Sequence, residues 1–235
     1  MNKLKFILEE IKKGRTNYII FSVLTSPLIK TKLKNWRIKI KDRILIKNLT
    51  KQIKKDYNLN FLNIYSKFYC EALREIYENK IYDFFQIKKG DILYDVGAGG
   101  GEYSILCAKN GAECLAFEFR EDASDLMNKN IKLNRFQNKI KSYLGKIDNK
   151  NTLDFYLKRT KKVPTIISID IEGDEMKALT GSRDILNKYG PKIILETHSK
   201  ELEKDCLNFL FKLKYAVKNK MKMNRDTNLL FLEKS

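Results

Sequence analysis

The sequence predicts an α/β protein, a doubly wound and mainly parallel seven-stranded sheet preceded by a basic N-terminal extension of helices and a hairpin. Three observations predict it. From Asp91 onward, short apolar runs alternate with helical segments. A glycine cluster, Gly97 to Gly101, stands where the first of those runs should turn into its helix. An acid, Glu118, closes the second run 19 residues after Gly99. Strands alternating with helices imply a parallel sheet covered on both faces. In such sheets ligands bind beyond the carboxyl ends of the strands.

The front section is read first. Leu4, Ile7, Leu8 and Ile11 recur at helical spacing before Gly14, which predicts an amphipathic helix. Residues 18–29 are apolar and end near Pro27. Trp36, Ile38 and Ile40 alternate with basic residues, the pattern of a half-exposed strand. Asp42-Arg43 would turn it into a second strand at Ile44 to Ile46. Helical spacing returns between Phe61 and Ile81, at Leu62, Tyr65, Phe68, Leu73, Ile76 and Tyr77. Lys88-Lys89-Gly90-Asp91 closes this section. The expected division is therefore residues 1–87 as the basic extension and residues 88–235 as the α/β domain.

Within that domain the expected strands are Ile92–Val96, Glu113–Phe119, Ile140–Leu144, Thr165–Ile171 and Lys192–Thr197, with two late ones at Tyr215–Lys218 and Asn228–Leu232. The expected helices are Tyr103–Asn110, Asp122–Leu133, a turn at Leu153–Leu157, Asp174–Asn187 and Glu201–Leu213.

Composition narrows the function classes. The chain has 235 residues, 43% of them hydrophobic, enough for a buried core and too many for a disordered chain. No apolar run approaches the roughly 20 residues that span a bilayer. Tyr18 to Leu24 is interrupted by Ser22, and no clean cleavage site follows it. The expectation is a cytoplasmic protein, with peripheral attachment to a membrane as a role for its basic arm. Cys70, Cys107, Cys114 and Cys206 form no CxxC pair and sit in apolar patterns, as buried thiols do.

The net charge of +18 is unevenly placed. Residues 1–60 carry 16 basic and 4 acidic side chains, and residues 61–210 carry 24 and 23. The middle of the chain is neutral and the excess lies at its ends. A basic arm can meet RNA, an anionic membrane or an acidic partner. No RNP box is present.

Asp95-Val96-Gly97-Ala98-Gly99-Gly100-Gly101 is the strongest motif. Glycines there let the backbone bend sharply and approach a ligand closely. Glu118 is placed to accept hydrogen bonds from ribose hydroxyls. A dinucleotide fingerprint, G-x-G-x-x-G, fails at Glu102, where an acid at a helix N-terminus would repel a pyrophosphate. The pattern D-x-G-x-G-x-G fits without exception. It resembles motif I of class I S-adenosylmethionine-dependent methyltransferases. That resemblance implies cofactor contacts from Asp95, Gly97, Ala98, Gly99, Gly101, Glu118 and Phe119, with Asp95 toward the cationic methionine end.

A second motif sharpens the resemblance. Ser168-Ile169-Asp170-Ile171-Glu172-Gly173-Asp174-Glu175 resembles the DxEGxE signature of the FkbM methyltransferase family. Asn130 and Asn134 fit the family's pattern after the glycine loop, and Pro191 to His198 resembles its closing element. The similarity covers roughly residues 88–200. Gly100 and Phe119-Arg120 depart from the usual residues. The resemblance implies a Rossmann-like methyltransferase sheet, S-adenosyl-L-methionine as cofactor, and O-methylation of a hydroxyl on a glycan, lipid or secondary metabolite.

Methyl transfer from a sulfonium is an in-line displacement, so alignment supplies much of the rate. A hydroxyl acceptor must also lose a proton, so a general base is expected. Asp170 and Glu172 follow the fourth strand. Glu196 and His198 close the fifth with i, i+2 spacing, which puts them on one side. These four are the catalytic candidates, with His198 or a neighbouring carboxylate as base. Asp174 and Glu175 read as complements to a helix dipole. No metal is assigned. The single histidine excludes a His-rich site, and no ligand spacing compels a cation at Asp170, Glu172 and Glu196. The Asn/Asp-Pro-Pro-aromatic signature of amino-methylating enzymes is absent, which favours oxygen as acceptor. Two rival readings are an RNA methyltransferase using the basic arm, and a non-catalytic membrane- or protein-binding adapter.

Overall fold

The computed structural model describes residues 43–62 and 67–235. The helix expected at Leu4 to Ile11, the apolar segment 18–29 and the strand at Trp36 to Ile40 lie outside them. The chain divides into two units, residues 1–48 with 63–65 and residues 49–62 with 66–235. All the candidate site residues belong to the second.

Residues 43–57 form a helix, α1. This corrects the strand expected at Ile44 to Ile46. Ile46, Leu49 and Ile53 are buried, whereas Ile44 and Leu45 are exposed. The apolar period is therefore helical, and it shows only over a window longer than three residues. Helix α2 (Lys67–Leu73) runs into a π-helical turn, Arg74–Glu78, which buries Ile76 and Tyr77.

The α/β alternation follows: β1 (Ile92–Val96), α3 (Glu102–Lys109), β2 (Glu113–Glu118), α4 (Glu121–Leu133), β3 (Ile140–Leu144), α5 (Leu153–Thr160), β4 (Ile166–Ile169), α6 (Glu175–Thr180), α7 (Arg183–Lys188), β5 (Lys192–Thr197), α8 (Lys200–Lys212), β6 (Tyr215–Lys222) and β7 (Asn228–Lys234). The single helix expected from Asp174 to Asn187 is two. The break falls at Gly181-Ser182, where the buried Ser182 hydroxyl donates to the Leu179 carbonyl (2.9 Å). Such local bonds compete with helix continuation.

The seven strands form one sheet in the order β3-β2-β1-β4-β5-β7-β6. The first five are parallel, and β7 is antiparallel to both β5 and β6. The chain walks outward from β1 to β3, then crosses to β4 on the other side of β1. The switch point thus lies between β1 and β4, where ligands of doubly wound sheets bind.

Strand alternation sorts the core. Tyr94 and Val96 of β1 face the cluster built from Phe117, Ile167, Ile169, Leu179 and Leu210. Each such side chain contributes about 1.5–3 kcal/mol on burial. Asp95 points to the opposite face, where the Ser104 hydroxyl of α3 donates to its Oδ2 (2.6 Å). The four cysteines are buried free thiols. Among the described residues, no helix is long and apolar enough to cross a membrane.

Candidate functional site

The glycine loop leaves β1 and enters α3. Gly97, Gly99 and Gly101 have φ of 89°, 54° and 84°, a region L side chains avoid. Gly97 is further constrained by contact. A Cβ there would lie 1.7 Å from the carbonyl oxygen of Asp170. The loop after β1 and the end of β4 therefore touch backbone to backbone. The N–H groups of Gly97 and Ala98 both donate to the Phe117 carbonyl, at 2.9 and 3.0 Å.

Glu118 ends β2 beside this loop. Its Oε2 accepts the Gly99 N–H (2.9 Å) and its Oε1 accepts the Arg120 N–H (2.8 Å). Each oxygen keeps a further lone pair for a ligand hydroxyl. The Phe119 side chain, next along, is 58% exposed and offers an apolar ring face. Asp95 sits deeper: it is 4% exposed, and burial pushes its carboxyl up to about 6 despite the bond from Ser104.

Sequence reasoning missed two residues here. Glu102 figured only as a break in a dinucleotide pattern. It is buried at the first turn of α3, folded back so that a Cβ on Gly100 would lie 2.6 Å from its Oε1. That oxygen has no hydrogen-bond partner, and burial drives the carboxyl up to about 8. Glu175, read as a dipole complement, is fully buried. Its Oε1 lies 2.8 Å from His198 Nδ1 and accepts the Gly173 N–H at 3.0 Å. The signal for Glu175 was its place beside the glycine turn, but only the adjacency of β4 and β5 brings it to His198.

Asn130 and Asn134, which fit the family's pattern, have a structural task. Asn130 donates to the Gly100 carbonyl (2.9 Å) and accepts the Leu62 N–H (3.1 Å). Asn134 accepts the Asn60 N–H (2.8 Å) and donates back to the Asn60 carbonyl (2.6 Å). One face of α4 thus clamps residues 60–62 and supports the glycine loop from below.

The four catalytic candidates meet at the ends of β4 and β5. His198 Nε2 lies 3.5 Å from Asp170 Oδ1, 3.5 Å from Glu172 Oε2 and 3.9 Å from Glu196 Oε1. Glu172 reaches this position from a left-handed backbone, with φ of 54°. The Glu196–His198 pair shares one side, as the i, i+2 spacing implies. Burial raises Asp170 to about 6, and burial together with the neighbouring Asp170 charge raises Glu196 to about 8. His198 is pushed up to about 9, first by its bond to Glu175 and then by the Asp170 and Glu172 charges. The surroundings therefore hold the ring above the ordinary imidazole value. Ligand atoms of Asp170, Glu196 and His198 all lie within 4.8 Å of one another. Asp174 stands apart, paired with Lys177 (2.6 Å) and Lys146.

A glycine loop at the switch point, a strand-end carboxylate tied to it and an exposed ring beside that carboxylate fit an adenosyl group. Together with the strand order they are the marks of a class I S-adenosylmethionine-dependent methyltransferase. The chain belongs to the FkbM family of these enzymes: the model of the methyltransferase FkbM domain matches residues 53–219. A tRNA (guanine(37)-N(1))-methyltransferase from Aedes aegypti is 37% identical over 76 residues, which is 32% of this chain and 13% of that protein. Methanocaldococcus jannaschii Trm5 in complex with adenosine has a similar fold, with a TM-score of 0.54 at 20% identity over 73% of this chain and 50% of that one. Precorrin-6y C5,15-methyltransferase from Geobacter metallireducens gives 0.52 at 15% identity, covering 77% of this chain and 96% of that one.

Proposed function

We propose that the chain methylates a hydroxyl oxygen on a small molecule, glycan or lipid. The observation that carries this reading is the cluster at the strand ends. His198 Nε2 and the carboxylates of Asp170, Glu172 and Glu196 gather beside the Gly97–Asp170 contact, next to the cofactor loop. An acceptor hydroxyl must give up a proton as its oxygen is alkylated, and this cluster is where that proton goes. The bound cofactor supplies an electrophilic methyl group. The chain's own residues do the rest. Glu118 holds ribose hydroxyls, Phe119 covers the adenine, and Gly97, Ala98, Gly99 and Gly101 give the backbone its close approach. Asp95 fixes α3 through Ser104 and supplies negative potential beneath the cationic end. Asp170 orients the acceptor.

In this reading residues 1–87 are the basic extension and residues 88–235 the transferase domain. The +12 of residues 1–60 brings the enzyme to an anionic acceptor or membrane.

A second reading has a specific observation behind it. The Aedes aegypti relative is by name a tRNA methyltransferase, a Trm5 of similar fold is known in complex with tRNALeu, and a basic arm can track phosphates. One experiment separates the two. The chain is incubated with methyl-labelled cofactor and a cell extract split into RNA, lipid, glycan and small-molecule fractions, and the labelled product is identified by mass spectrometry. Label on an oxygen outside RNA supports the hydroxyl reading. Label on an RNA base overturns it. Label nowhere, with cofactor bound, returns the adapter reading.

A further inference from the structure

We propose that Asp170, Glu196 and His198 form a divalent-cation site of the Mn²⁺ class at the ends of β4 and β5, beside the glycine loop. The inference rests on the methyltransferase reading only for its role, which is to hold the acceptor oxygen.

Geometry comes first. The three ligand atoms lie within 4.8 Å of one another. Bonds of such a cation to nitrogen and oxygen are about 2.0–2.2 Å, so ligands across it stand a little over 4 Å apart. A closure of some tenths of an ångström completes the shell. The side chains are 39%, 13% and 20% exposed respectively, so an ion can reach them and coordination positions remain for an acceptor.

The histidine is already prepared for a metal. Metal-binding imidazoles almost always use their other nitrogen to hold a carboxylate or carbonyl, which fixes the ring. Here Nδ1 is held by Glu175 Oε1 at 2.8 Å, and that oxygen is itself anchored by the Gly173 N–H. The ring therefore presents Nε2 to Asp170, Glu172 and Glu196. Glu175 is fully buried, so its carboxylate is a fixed orienting group and not a mobile surface acid.

The charge balance points the same way. Asp170, Glu172, Glu175 and Glu196 face one imidazole, and Glu75 of the π-helical turn adds negative charge near Asp170 and Glu196. Among the described residues no Lys or Arg pairs with Asp170, Glu172 or Glu196. A divalent cation supplies what is missing. One imidazole with two carboxylates suits Mn²⁺, Fe²⁺ or Mg²⁺ better than the soft, thiolate-seeking ions. Such an ion would lower the proton affinity of a hydroxyl bound to it.

The test uses the full chain, without acceptor, and Mn²⁺ as probe. Electron paramagnetic resonance and calorimetry should show one saturable Mn²⁺ per chain. Asp170→Asn and His198→Ala should each weaken binding at least tenfold, and Glu175→Gln by about 10–100-fold, the usual loss when a metal ligand's orienting partner is removed. Asp170→Asn is close to isosteric, so a folding failure in the others leaves the question decidable. The site is refuted if the wild type binds no Mn²⁺ at millimolar concentration, or if Asp170→Asn and His198→Ala, folded by melting, bind it as the wild type does. Cofactor binding is measured alongside in EDTA. A chain that binds S-adenosylmethionine but no Mn²⁺ removes the cation site and leaves the methyltransferase reading standing. Mn²⁺ binding at these residues with label on an RNA base supports the site and overturns the hydroxyl reading.

Discussion

Gly97 and Asp170 touch through their backbones: a Cβ on Gly97 would overlap the Asp170 carbonyl oxygen, 1.7 Å away, and the Asp170 N–H is bonded to the Val96 carbonyl at 2.9 Å. One contact thus sets the distance between the cofactor loop and the residue that begins the acceptor cluster.

Gly97→Ala should consequently fail on both counts. Its φ of 89° and the overlap leave no local escape, so β1 and β4 must part. The expected loss is about 2–5 kcal/mol of stability, the range for strained backbone and overpacking together. Urea unfolding reads the stability and calorimetry reads cofactor affinity. A variant with wild-type values for both would show that the two loops are not locked.

Glu118→Ala should weaken S-adenosylmethionine binding by about 1.5–3 kcal/mol, the worth of hydrogen bonds to a charged group. The same variant frees the Gly99 and Arg120 N–H groups, so a melting curve must accompany it. NAD should not bind the wild type. Unchanged cofactor affinity in a folded variant removes the ribose role.

Glu102 makes the fold pH-sensitive. Its carboxyl is near 4.5 when unfolded and about 8 when folded, so the folded state holds the proton more tightly. Its contribution is fully present below the unfolded value and is lost as pH rises toward 8. Glu102→Gln, neutral at every pH, should flatten that part of the stability profile and be the more stable protein at pH 8. Parallel profiles from chemical denaturation at several pH values would mean that the buried carboxyl does not titrate as stated.

Asn134→Ala should free Asn60 from the end of α4, while Asn130 still holds Leu62. It removes bonds in both directions to Asn60, at a cost of about 1–3 kcal/mol. Limited proteolysis should then cut near Asn60 while the sheet stays intact. Resistance equal to the wild type would show that the clamp is redundant.

His198→Ala should lower kcat at least about a hundredfold, the scale of lost acid–base help, because the carboxylates of Asp170, Glu172 and Glu196 lose the ring they gather around, and leave cofactor affinity unchanged within twofold. Single-turnover rates with the acceptor found by labelling check it. A retained rate would put the proton on another path and end the role given to this ring.

Much of this was readable in advance because it is local. The strand runs, the glycine cluster and the acid at Glu118 are written in consecutive residues. Spacing alone also placed Glu196 and His198 on one side. What escaped depends on distant neighbours or on longer windows. Ile44 to Ile46 looked like a strand because three residues cannot show a helical period. Glu175 looked like a dipole complement because its partner, His198, is 23 residues away, just past the end of β5. The raised value of His198 has the same origin, since the buried carboxylate that raises it first arrives from another element.

The place of β7 has a consequence for how the sheet is assembled. β7 follows β6 in the chain but lies between β6 and β5, joined to both in antiparallel register. While the chain emerges from the ribosome, β5 has no partner on that side until Asn228 to Lys234 has been made. Ile193, Ile194 and Leu195, wholly buried in the finished sheet, border an open edge throughout that interval. Unpaired edges of this kind are templates for wrong pairing between chains. The strand that closes the β5 edge is therefore the last of the three to be made.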